Sequence, residues 1–135
     1  MTIEEKKRFL KRYAALDRCI RSRMAELAGC RDQMKQLYAA AGAEEVPGPA
    51  DRQLKQCAQH ISALEEELVT EIKRLVALRK RIAGAVALVD DARQREALEE
   101  RYLHGLTIKE VAGRMYYSTM QVHRILNQAL EKVPL

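Results

Sequence analysis

The chain has 135 residues, with 24 Lys and Arg against 19 Asp and Glu, a formal charge of +5. Aromatic residues make up 4% and charged residues 32%, a balance that excludes a β-sandwich or barrel and predicts an all-α chain. Cys19, Cys30 and Cys57 form no CxxC and leave one thiol over in any disulfide scheme, so a reduced, cytoplasmic setting is expected.

The opening MTIEEKKRFLKR holds no apolar stretch, which predicts no signal peptide. No segment approaches the ~20 apolar residues of a membrane span. Residues 2–41 carry instead a helical repeat through Phe9, Tyr13, Leu16, Ile20, Leu27, Cys30, Met34 and Leu37, with Arg23 as its polar intruder. A second repeat runs through Leu54, Cys57, Ile61, Leu64, Leu68, Leu75, Leu78, Ile82, Ala85 and Val89, interrupted by Glu71. Both keep a period of about 3.5 residues, the pattern of helices that supercoil around a partner. Between them, Gly42 is placed to end one helix, Pro47 and Pro49 to break it, and Asp51 to cap the next. The expectation is a long antiparallel helical hairpin, or coiled coil, over residues 1–89.

Setting Leu37 opposite Leu54 places Leu27 opposite Leu64 and Leu16 opposite Leu75. Arg23 and Glu71 then fall in adjacent layers, where each offsets the desolvation of the other. Leu10, Met24 and Tyr38 widen the first apolar stripe, and Val69, Ile72 and Val76 widen the second. A stripe this broad predicts a further neighbour, and a homodimer of hairpins meets that need.

From Asp90 onward the pattern changes to three short helices over residues 90–135. Asp90-Asp91 starts the first, which carries Ala92, Leu98 and Tyr102 and ends at Gly105. Thr107 and Glu110 form a capping box for the second. Tyr116-Tyr117 break the chain, with one of the two rings packed inside, and Ser118 caps a last helix running to about Lys132. Ala112 is small enough for two helices to cross closely, while Val111, Met115, Val122 and Ile125 line their inner face. This is the spacing of a helix-turn-helix, whose second helix fits a DNA major groove.

Arg101, Tyr102, Gly105, Leu106, Thr107, Glu110, Val111, Ala112, Ser118, Val122, Ile125, Ala129 and Leu130 resemble the region 4 helix-turn-helix of sigma-70-type transcription factors. The resemblance covers residues 88–132. With its helical N-terminal half, the chain looks like small phage and prophage late-gene transcriptional regulators of the RinA and ArpU type. Nothing in it resembles the sigma region that opens promoter DNA.

That resemblance implies a sequence-specific regulator on double-stranded DNA, with RNA polymerase as a further partner. It assigns base reading to Thr119, Met120, Gln121, His123, Arg124 and Asn127, and phosphate contacts to Lys109, Arg114 and the backbone amides of Thr107 and Ser118. The chemistry is sound on its own terms: arginine takes guanine bidentately, Gln and Asn suit adenine, and Thr or Met touches a thymine methyl. Thr119 and Met120 stand where promoter-reading relatives carry Arg and Glu, which predicts a different base preference.

From residue 88 the chain has seven basic and seven acidic residues, so the excess charge lies in the hairpin. The basic run KKRFLKR is read as a solvated helix face, and Glu65-Glu66-Glu67 as facing water. No phosphate loop, nucleophile elbow, paired-carboxylate motif, metal-ligand spacing or cofactor site is present, and no enzyme is expected. Two other functions fit the same layout: a small terminase-like DNA-packaging subunit, and an adaptor that uses the helix-turn-helix fold to bind a protein such as RNA polymerase.

Overall fold

The computed structural model describes residues 1–41 and 49–135. Five helices follow one another: α1 (Ile3–Ala41), α2 (Pro49–Ala87), α3 (Ala92–Leu98), α4 (Ile108–Met115) and α5 (Thr119–Lys132), and no strand occurs among the described residues. A π-helical turn, Glu99–Leu103, extends α3. Helices α1 and α2 have 39 residues each, roughly 58 Å at about 1.5 Å per residue. Gly42 and Pro47, expected in the connection, lie outside the described residues. Asp51 falls within the first turn of α2 rather than before it. Helix α2 instead starts at Pro49, whose fixed φ and missing N–H suit a first helical residue.

The chain divides into two compact units, residues 18–74 and residues 1–17 with 75–135. In the first, Ile20, Leu27, Leu64 and Leu68 are buried along the expected seam. Arg31 pairs with Glu65 at 3.0 Å and Arg23 with Glu67 at 2.8 Å, so numbers fall along α1 as they rise along α2 and the helices run antiparallel. Arg23 Nη1 also lies 2.8 Å from Glu71 Oε1. The two intruders therefore meet, as their register required. Glu65 and Glu67 of the acidic run, although exposed, each hold an arginine.

The second unit joins the ends of the long helices to the three short ones. Phe9, Leu10 and Tyr13 of α1 and Ile82, Ala85 and Val86 of α2 belong to the same hydrophobic core as Leu98, Val111, Val122 and Leu130. Leu10 is 1% exposed. Its place in the broad stripe is explained by the short helices, whereas Met24, Tyr38, Val69 and Ile72 remain exposed. Lys6 is buried too, and its Nζ donates to the carbonyl oxygens of Leu130 and Val133 at 2.8 Å each. These carbonyls lie at the C-terminal end of α5, where no further helical N–H can satisfy them. The run KKRFLKR is thus not uniformly solvated.

Each short helix begins on a side chain that captures free N–H groups. Asp91 accepts from the amides of Arg93 and Gln94 at 2.9 and 3.2 Å. Those two donors, Gln94 first, hold its carboxyl below the usual range. Thr107 with Glu110 and Ser118 with Gln121 form complete capping boxes. The same reciprocal arrangement, Thr2 with Glu5, opens α1. The region expected to continue as α-helix to Gly105 widens after Leu98, where the His104 amide donates to the Glu99 carbonyl at 2.9 Å. Gly105, at φ 71°, then reverses the chain.

Candidate nucleic-acid interface

Helices α4 and α5 cross over Ala112, Val111 and Val122, all buried. Ala112 presents only a methyl group at the crossing, which lets the backbones approach. The turn between them depends on Tyr116, a non-glycine residue in the left-handed region (φ 60°, ψ 38°), whose amide and that of Tyr117 both donate to the Ala112 carbonyl. Tyr117 is half-buried against the core, and Tyr116 is 94% exposed. Left-handed geometry costs a side-chain-bearing residue about 1 kcal/mol, and the exposed ring returns no packing. Tyr116→Gly is therefore expected to raise the unfolding free energy by about 1 kcal/mol in urea titration.

One long surface of α5 remains open. Its buried residues are Val122, Leu126, Ala129 and Leu130, all turned to the core. Thr119, Met120, Gln121, His123, Arg124 and Asn127 are all exposed. Met120, His123, Arg124 and Asn127 follow the i, i+3, i+4, i+7 spacing of a single helix face. That face combines a cation, an amide, an imidazole and a flexible apolar chain, the groups that read base edges in a major groove.

Gln121 has a second task. Its Oε1 accepts from the Ser118 amide at 2.9 Å, so the carbonyl end closes the capping box while the amide nitrogen stays available as a donor. The Thr107 amide likewise donates to Glu110 Oε1 at 3.4 Å. Both amides expected to receive phosphate oxygens are already engaged by capping side chains. Arg114 is engaged as well: its guanidinium donates to Glu100 Oε2 at 2.7 Å, and His104 Nδ1 lies 3.3 Å from the other oxygen. The Arg114 hydrogen bond and then the nearby His104 hold the Glu100 carboxyl below the usual range. Lys109 is exposed near the start of α4.

The structure adds residues that spacing alone did not single out. Arg93, Tyr117, Gln121, Arg124, Ile125 and Gln128 line a groove of about 220 Å³ beside α5. A hydrogen bond donated by Arg93 to the Tyr117 hydroxyl, followed by the charge of Asp91, pushes the Arg93 guanidinium further toward its charged form. Gln128 lies one turn beyond Arg124 and was accessible from helical periodicity. Arg93 sits on α3, and only the folded chain brings it to α5.

Residues 91–133 match the family model of Sigma-70, region 4. The family of that model, which covers this C-terminal head alone, is one of DNA-binding regulatory domains and not of enzymes. Searches of curated proteins and of solved structures each returned no match. Among the described residues, no three His, Cys, Asp or Glu side chains converge as a metal site, and no helix is long and apolar enough to cross a membrane.

Proposed function

We propose that this chain is a cytoplasmic, phage- or prophage-derived transcriptional regulator that binds specific double-stranded DNA as a homodimer. In this reading residues 90–135 bind DNA with α5 in the major groove, and residues 1–89 bring two copies together. The observation that carries it is the open face of α5, Met120, His123, Arg124 and Asn127, within the segment matching region 4. Exposed Met24, Tyr38, Val69 and Ile72 support a second copy on the long helices. A dimer also answers the neutrality of the head, because joining two weak sites raises affinity through effective concentration.

The test uses two substitutions chosen for what they leave intact. Arg124→Ala removes a bidentate donor from an exposed position. Gln121→Glu keeps an oxygen for the Ser118 amide but removes the side-chain amide donor. Each is expected to cost about 1–3 kcal/mol of discrimination between selected and random duplex, while circular dichroism and thermal unfolding stay near those of the parent. Unchanged discrimination in both variants counts against base reading by α5.

A second reading has its own observation. With seven basic and seven acidic residues from position 88 on, and Arg114 committed to Glu100, the head also suits an adaptor docking on RNA polymerase. Under that reading the two variants leave function unaffected.

A further inference from the structure

The formal charge is distributed unequally between the two units. Residues 18–74 contain nine basic and nine acidic residues, whereas residues 1–17 with 75–135 contain 15 and 10. Within the latter unit the head is balanced from residue 88 onward, seven against seven. The whole +5 therefore sits on residues 1–17 and 75–87, the ends of α1 and α2 that share the head's hydrophobic core.

These charges are ordered by the helices that carry them. Arg8, Lys11 and Arg12 have i, i+3, i+4 spacing and are exposed, so they form one basic face of α1. Lys80 is exposed on α2. None of these four has an ion-pair partner among the described residues. The acidic groups nearby are partly occupied, since Glu4 lies 3.7 Å from Lys7 and Glu5 accepts from the Thr2 amide. Two more α2 cations lie along α1: Arg79 donates to the Tyr13 hydroxyl at 2.7 Å, and Arg81 stacks 4.5 Å from the Phe9 ring centre. Lys6, in the same turn as Arg8, clamps the C-terminal carbonyls of α5. The basic face thus starts two residues after the lysine that holds the end of α5, on the other side of α1.

We infer that Arg8, Lys11 and Arg12 form a second DNA-binding surface, which engages backbone phosphates and supplies the non-specific affinity that the neutral head lacks. The inference rests on the DNA-binding reading above and extends it. Phosphate neutralisation releases counterions from the duplex, so affinity depends on how many unpaired cations a protein presents. Cations outside the head supply that attraction, and α5 is then left to select sequence.

The test is a salt series of fluorescence anisotropy with a labelled duplex of arbitrary sequence, since this contribution requires no operator. Three full-length chains are compared: the parent, a variant with Arg8→Gln, Lys11→Gln and Arg12→Gln, and a control with Arg52→Gln, Lys73→Gln and Arg74→Gln. Both variants shed the same charge, and the control sheds it from residues 18–74. Circular dichroism establishes that each retains its helices. The slope of log affinity against log salt is expected to shrink by about 0.9 for each phosphate that the first variant no longer neutralises, and to stay at the parent value in the control. Equal slopes in parent and first variant overturn this surface while leaving DNA binding in place. Equally reduced slopes in both variants overturn it too, because net charge alone then governs binding. Absence of duplex binding by the parent at low salt overturns the DNA reading and this surface with it.

Discussion

Leu10→Ala is expected to lower the unfolding free energy by about 2–5 kcal/mol, the range for emptying a buried leucine site. On sequence pattern alone this residue belongs with Met24 and Tyr38, at the margin of a helix stripe. The structure separates them: Leu10 is 1% exposed, whereas Met24 is 53% and Tyr38 59% exposed. Leu10 lies in one core with Leu98, Val111 and Leu130. Truncating it leaves a cavity bounded by the short helices, and that core cannot collapse without moving them. Met24→Ala, at an exposed site, is expected to change stability by no more than about 0.5 kcal/mol in the monomer. Urea denaturation of the two variants makes the comparison. Near-equal effects mean that the first turns of α1 do not share the head's core.

The second large effect is expected at Lys6. Its ammonium reaches three carbonyl oxygens, of Leu130, Val133 and Glu131, at 2.8, 2.8 and 3.4 Å. A cation here both satisfies C-terminal acceptors and opposes the negative end of the helix dipole. Lys6→Met keeps most of the aliphatic stem and removes the donors, leaving the buried Leu130 carbonyl unpaired, while that of Val133 keeps only the Leu135 amide. Hydrogen bonds to a charged group contribute about 1.5–3 kcal/mol, so a loss of that size is expected in urea denaturation. Amide exchange measures the accompanying fraying of the last turn of α5. Lys11→Met, on the exposed face of the same helix, is expected to stay within about 0.5 kcal/mol of the parent. A Lys6→Met chain as stable as the parent contradicts the clamp.

Much of this architecture was legible because its signals are local. Thr107 with Glu110 and Ser118 at the start of α5 are short-range capping patterns, and both produced the expected helix starts. The register of the long helices was legible from only two residues. Arg23 and Glu71 are costly in an apolar seam unless they meet, and they do so at 2.8 Å. Met120, His123, Arg124 and Asn127 were readable as one open face because the apolar residues of α5 occupy the other.

What stayed hidden depends on distance along the chain or on one group serving two purposes. Lys6 and Leu130 are 124 positions apart, and no periodicity in α1 marks a lysine turned inward. Leu10 is a core residue only because the short helices cover it. Arg93 reaches the α5 groove across a stretch of chain that sequence spacing cannot bridge. Gln121 reads as an adenine-seeking amide, yet one end of that amide already closes a capping box. Arg114 reads as a phosphate ligand until Glu100 is placed beside it. Both residue types were right for their chemistry; the neighbour that claims Arg114 came from tertiary packing, and the one that claims Gln121 lies three residues away in the capping box.

The central claim is that the exposed side of α5 reads specific DNA. Selection from pooled source-genome fragments, repeated across a salt series with oligomeric state followed by light scattering, tests it most directly. The expected result is a dimer that enriches one fragment or a few, with affinity falling steeply as salt rises. A ring of many subunits on DNA would point instead to a packaging component. Failure to enrich any fragment, even at low salt, would contradict the claim.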